Sequence, residues 1–210
     1  MNRPAVSGVL IGTAAMLLSL MTPAASQLRT GAGALVARAR VDFRITIPKI
    51  LYLRVGTGSA YPTTLSSAAT VNLLTFSPAA GAVGNGTAVA GAGGDLAGGV
   101  ETAAIISNSG SVTLNATATG ALGDGAGDSI PYTQIATAAS ALTVGYTLLP
   151  APTLTNATSA NLLLTAPPTK VIRADAKWSF SYGNSVTPPG GTYGGVNVNN
   201  GRVVYTATMP

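Results

Sequence analysis

Apolar and polar positions in this chain alternate far more often than they follow a helical period. Val41, Phe43, Ile45 and Ile47 take one face of a short segment, and Asp42, Arg44 and Thr46 take the other. A period of two predicts a half-buried strand over Val41 to Ile47. Pro48 interrupts it, because proline supplies no ladder donor. Ile50 to Val55 (ILYLRV) resumes as an almost continuous apolar run, and Thr70 to Phe76 (TVNLLTF) reads as another short strand.

The same pattern returns further along. Val100 to Ser107 runs into a turn at Asn108-Ser109-Gly110, and Val112, Leu114, Ala116 and Ala118 then alternate with Thr113, Asn115, Thr117 and Thr119. Leu142, Val144, Tyr146 and Leu148 share a face, and Leu162 to Thr165 is a minor strand. Trp178, Phe180 and Tyr182 alternate with serines, and Val203, Tyr205, Ala207 and Met209 close the chain in the same way. Ile135 to Ala141 is the best candidate for a helical turn. Pro78 to Gly99 and Gly120 to Asp128 are glycine-rich, read as a long loop or loosely held sheet and as a turn.

Eight to ten short strands, spaced by turn signals, predict an all-β chain. The expected architecture is an antiparallel β-sandwich, immunoglobulin-like, with long glycine-rich loops. Its inward positions would be Phe43, Ile45, Val112, Leu114, Val144, Tyr146, Trp178, Phe180, Val203 and Tyr205.

The N-terminus adds a destination. Arg3 precedes an apolar stretch, Ala5 to Met21, followed by TPAAS with Ala24 and Ser26 in a small-x-small pattern. That order reads as a secretory signal peptide, residues 1–26, the alternative being a retained N-terminal anchor. The remaining organisation is a flexible leader, 27–40, and one β-sandwich domain, 41–210. A bacterial protein with this leader is secreted, periplasmic or on the cell surface, with no membrane span after signal removal.

Composition then narrows the chemistry. With Cys 0 and His 0, thiol nucleophiles, serine-histidine catalysis and histidine- or thiolate-ligated metals are excluded. Charged residues make up 8% of the chain, against about 25% in an ordinary soluble domain. Arg29, Arg38, Arg40, Arg44, Lys49 and Arg54 crowd the N-terminal segment, opposed only by Asp42. No aromatic pattern beyond Phe43 and Tyr52 accompanies them, so nucleic acid is not the expected partner. Lys170, Arg173 and Lys177 form a smaller cluster around Asp175.

Each candidate site has a plain structural reading beside it. Asp124 and Asp128 flank two glycines in DGAGD, which suits a single calcium loop or an ordinary hairpin turn. Asp95 and Glu101 are carboxylates near a glycine-rich stretch. A glycosidase needs two such groups across a groove, but their spacing selects no pair. Trp178, Phe180, Tyr182 and Tyr193 would make either an aromatic platform or core packing. No catalytic residue, cofactor or metal ligand is expected, and the chain is read as a non-enzyme.

Pro188-Pro-Gly-Gly-Thr-Tyr193 and Arg202-Val-Val-Tyr-Thr-Ala-Thr208 resemble the closing hairpin of fimbrial subunits of the spore coat U type. They are also similar to WxL-like surface domains. Val112 to Thr119 and Ile130-Pro-Tyr132 look like middle strands of fimbrial subunits. The resemblance implies a structural subunit that donates an N-terminal strand to the next copy. It also implies copies of itself or other surface proteins as partners, and a periplasmic chaperone and usher. Three departures stand against it: there is no cysteine for the disulfide those subunits commonly carry, Trp178 lacks the following leucine, and Asn197 to Gly201 intrudes between turn and strand.

The expected function is therefore a structural subunit or surface interaction module of a secreted assembly. The alternative is a monomeric glycan- or peptide-binding module. Val41, Phe43, Ile45 and Ile47 are the candidate subunit-contact strand. The competing reading makes Val41 to Val55 one bent internal strand broken at Pro48.

Overall fold

A computed structural model describes residues 26–57 and 65–210. The expected signal peptide, residues 1–26, lies outside the described residues apart from Ser26. The chain divides between Ile47 and Pro48 into two compact units. In the first, the described residues 26–47 form no helix and no strand.

The second unit, Pro48–Pro210, carries the fold. Its strands are β1 (Leu51–Val55), β2 (Leu74–Thr75), β3 (Val89–Ala90), β4 (Ala92–Gly93), β5 (Val100–Ser107), β6 (Val112–Ala118) and β7 (Leu122–Gly123). They continue as β8 (Ser129–Ile130), β9 (Ile135–Ser140), β10 (Thr147–Leu148), β11 (Leu162–Leu164), β12 (Ile172–Tyr182) and β13 (Val203–Thr208). The helical content of the described residues is two 3-10 turns, Ala80–Ala82 and Tyr132–Gln134.

The chain is all-β as expected, but it is not an antiparallel immunoglobulin-like sandwich. Four sheets form, and the largest is mixed. In the six-stranded sheet, β12 lies at the centre with β5 and β3 along one edge and β9 and β10 along the other. β1 closes the β5 side. The β10–β12 pair is parallel, with Thr147 opposite Ala174. Its cause is the route of the chain. After β10 the chain crosses to the three-stranded sheet (order β11-β6-β13), forms β11 there, and returns as β12 in the direction of β10. A parallel pair needs a long crossover of this kind, and a two-residue strand leaves little trace of it in the sequence. β2 with β4 and β7 with β8 make two further small ladders.

The core lies between the six-stranded and three-stranded sheets. On β12, Ile172, Ala174, Ala176, Trp178, Phe180 and Tyr182 are buried on one face. On β6, Val112, Leu114, Ala116 and Ala118 alternate with half-buried polar residues. Trp178 is fully buried; its indole N–H donates to the Leu149 carbonyl at 2.9 Å, and its ring centroid lies 5.2 Å from that of Tyr205. The alternation of β6, β12 and β13 thus faces the way the sequence predicts.

Other expectations are overturned. Val41 to Ile47 is not a strand of the domain: Phe43 is 91% and Ile45 87% exposed. Val144 is fully exposed, and only Thr147 and Leu148 of its predicted strand pair with anything. Ile135 to Ser140 is strand, not helical turn. Its small side chains allow a close ladder with β12, from Ile135 opposite Tyr182 to Ser140 opposite Lys177; pairing overrides local propensity. The glycine-rich stretch from Pro78, by contrast, takes the second of its two expected forms and is partly sheet, in β3 and β4. Its glycines permit one tight crossing: Gly99 has φ +73, and a Cβ there would lie 2.6 Å from the Gly91 Cα.

Candidate functional site

The candidate contact segment precedes the domain. Val41, Phe43, Ile45 and Ile47 are 74%, 91%, 87% and 76% exposed, and none belongs to a strand. Alternation therefore persists without the burial that normally justifies it.

The domain begins immediately afterwards, and Asn108 fixes that point. Its side-chain carbonyl accepts from Ile50 N–H at 2.8 Å, and its side-chain amide donates to the Pro48 carbonyl at 2.8 Å. The Asn108 backbone N–H also donates to the Ile50 carbonyl at 3.3 Å. One side chain in the β5–β6 turn thus continues the β1–β5 ladder past the proline. Lys49 Nζ donates to the Pro210 carbonyl at 3.3 Å.

The structure brings together two carboxylates that the sequence could not pair. Asp95 sits in the turn before β5; its Oδ1 accepts from Thr102 N–H at 2.7 Å, and Arg54 Nη2 lies 3.2 Å from its Oδ2. Thr102 Oγ1 also donates to Asp95 Oδ2. Glu101, 4% exposed, accepts from Asn72 Nδ2 at 2.8 Å and from Asp95 N–H at 3.3 Å. Burial raises the Glu101 carboxyl above its ordinary 4.5, the adjacent Asp95 charge adds to the rise, and the two hydrogen bonds oppose it. Asn72 and Arg54 were not anticipated as its surroundings, since neither lies near Glu101 in sequence.

DGAGD is a self-satisfied turn. Asp124 Oδ1 accepts from the N–H groups of Ala126, Gly127 and Asp128 at 2.8, 3.0 and 3.0 Å. Those bonds hold its carboxyl below the ordinary value. No group of three or more potential metal ligands occurs among the described residues.

The aromatic platform does not form. Trp178, Phe180 and Tyr182 are core residues, and the half-buried Tyr193 donates its hydroxyl to Pro189 O at 2.8 Å. Of the smaller basic cluster, Lys170, Arg173 and Lys177 are exposed, whereas Asp175 is 1% exposed and accepts from Thr143 N–H.

A groove of about 500 Å³ opens between the two main sheets. Its lining is mixed: Leu148, Pro150, Leu163, Leu164 and Ile172 supply the apolar part, and Thr147, Thr165 and Arg173 the polar part. Among the described residues, β10 pairs only with β12, and β11 pairs in its ladder only with β6. Both strands therefore turn an unpaired edge outward beside it. Nothing in the sequence marked this groove, because its walls meet only through the crossover.

No helix among the described residues is long and apolar enough to cross a membrane. No protein-family model matches this chain, nor does any curated protein or solved structure.

Proposed function

We propose that the chain is a structural subunit or surface interaction module of a secreted or cell-surface assembly, and that it associates with copies of itself through Val41 to Ile47. One observation carries this reading: four alternate apolar side chains stand exposed on a segment that belongs to no sheet. Each would contribute about 1.5–3 kcal/mol on full burial, from which the cost of ordering the segment and of association must be subtracted. Exposed apolar patterns of this kind mark interaction sites. Strand addition fits the form, because a ladder supplies affinity and alternate side chains set the register. The groove flanked by the free edges of β10 and β11 is a suitable acceptor. The resemblance to fimbrial subunits points the same way and adds a chaperone and usher as proposed partners, acting outside the cytoplasm.

The test replaces Phe43 and Ile45 together with aspartate. Size-exclusion chromatography and negative-stain microscopy of native surface extracts are expected to show filaments or ladders for the natural chain. The variant should give a folded monomer only, since strand addition would bury unpaired charges. A variant that unfolds places the segment in its own domain, and a variant that still polymerises removes it from the contact. The same groove supports a second reading, a monomeric peptide-binding module. A natural chain that stays monomeric at all concentrations and binds extended peptides would favour it.

A further inference from the structure

We propose that Asp95 and Glu101 form an acid-tightened latch that fastens the Gly94–Gly99 turn and Asn72 to the end of β1. The idea is independent of the assembly reading, and it concerns the opposite end of β1 from Pro48.

The latch joins three stretches distant in sequence. Arg54 and Gly56 come from the end of β1, Asn72 precedes β2, and Asp95, Glu101 and Thr102 come from the turn and the start of β5. Gly56 N–H donates to Thr102 O at 2.7 Å, so β1 and β5 are already in register here. The turn itself is demanding: Gly93, Gly94, Gly98 and Gly99, together with Ala97, all have positive φ. A segment with that backbone is held by its side-chain ties more than by local preference.

Those ties are unequal in charge. Arg54 lies against Asp95 and also donates to Gly56 O at 2.8 Å. Glu101 receives neutral donors only, Asn72 Nδ2 and Asp95 N–H. Two adjacent carboxylates in a shielded place thus face one guanidinium. Burial and the neighbouring negative charge both favour the protonated form of Glu101.

Protonated Glu101 can donate its O–H to the Asp95 carboxylate while Asp95 keeps Arg54 and Thr102. When that proton leaves to solvent, the two carboxylates repel, and the turn loses a tie. The other charged and titratable groups around the pair are few. Asp175 and Lys177 on β12 are the cross-strand partners of Ala104 and Thr102. Tyr205 on β13 feels the Glu101 charge. Burial keeps that phenol well above its ordinary 10.0, so it stays neutral throughout the relevant range.

The sign follows from linkage. A carboxyl raised in the folded state binds its proton more tightly there than in the unfolded chain. Its stabilisation is complete below 4.5 and is lost as pH rises through the folded value. Asp124, lowered from 3.8, acts in the opposite direction and in a lower window.

The experiment uses the full chain. Carboxyl carbon NMR follows Glu101 and Asp95 directly, and urea unfolding is followed by Trp178 fluorescence at a series of pH values from 4.5 to neutrality. Glu101 is expected to titrate above 4.5. The folding constant should fall by up to about tenfold per pH unit across that window. Glu101→Gln, which keeps an acceptor for Asn72 and supplies a permanent N–H toward Asp95, should remove that fall. Amide exchange at Thr102, whose N–H donates to Asp95, should slow in acid in the natural chain after correction for intrinsic rates. Glu101 titrating at or below 4.5 overturns the latch, as does an unchanged pH slope in the Gln variant. If that variant does not fold, the carboxyl titration of the natural chain decides alone.

Discussion

Trp178→Ala removes the largest fully buried side chain of the core. Three losses follow from its surroundings. A large cavity opens between β12 and β13, at about 3–5 kcal/mol. The Leu149 carbonyl, which accepts the indole N–H at 2.9 Å, loses its donor, a further cost of about 1–3 kcal/mol if water cannot reach it. The tilted contact with Tyr205 at 5.2 Å disappears as well, worth about 0.5–1.5 kcal/mol and partly counted in the cavity. Together they destabilise the domain by about 4–8 kcal/mol. That is a large share of the roughly 5–15 kcal/mol available to an ordinary domain. For a domain of this size, it lowers Tm by about 10–30 °C.

The assay is urea unfolding followed by far-UV circular dichroism, because the variant has no tryptophan to report fluorescence. Trp178→Phe separates the contributions, since it keeps an aromatic ring against Tyr205 and deletes the indole donor. It should fall between the natural chain and the alanine variant. A Trp178→Ala cost below about 1 kcal/mol would refute the packing argument. A phenylalanine variant as unstable as the alanine one would show that the hydrogen bond, not the ring, carries the site.

Two further outcomes follow from buried polar groups. Asn184 is fully buried at φ +50; it donates to Ala82 O at 2.7 Å and accepts from Gly84 N–H at 3.0 Å. Asn184→Ala should therefore cost about 3 kcal/mol or more, with the amide protection of residues 82–87 falling first by hydrogen exchange. Burial pushes the Tyr132 phenol from 10.0 up to about 12, and its hydroxyl donates to Asn200 O at 2.7 Å. The stability tied to that proton is present below pH 10 and lost as pH rises toward 12. Thermal melts in alkali should show this loss in the natural chain and less of it in Tyr132→Phe.

What the sequence revealed and what it hid follow from the range of the interactions. β6, β12 and β13 are legible because each alternates over six residues or more against a buried face, whereas β5, buried along most of its length, shows no such period and is marked only by its apolar run and the turn that follows it. The parallel β10–β12 pair is not legible, because two residues carry no period and the crossover that orients them spans another sheet. Val41 to Ile47 shows the limit of pattern alone. Alternation states that a segment suits a two-faced environment, but not which molecule supplies the buried face. Asp95 and Glu101 were visible as acids, yet their meeting depends on the turn between β4 and β5. Asn108 was read as a turn residue; its role in extending the β1 ladder needed Pro48 and Ile50 to come within reach of its side chain.

Charge then bears on what an exposed, alternating segment can pair with. Of the six carboxylates in the chain, Asp95, Glu101 and Asp175 are turned into the domain. The exposed surface is left more basic than the formal charge suggests. On the segment itself, Arg40 and Arg44 occupy the face opposite the apolar side chains, with Asp42 between them. Two such segments paired in register would bring arginines opposite one another, and like charges directly opposite destabilise a ladder. That discourages the commonest hazard of an unpaired strand, edge-to-edge association with its own copies. The groove beside β10 and β11 offers mainly apolar walls and sets one arginine, Arg173, near an incoming segment, a smaller like-charge cost than pairing of two segments in register. Under the assembly reading, contact is therefore heterologous, segment to domain. Such a contact propagates in one direction rather than closing on a two-fold axis. A linear polymer, not a symmetric dimer, is the expected product.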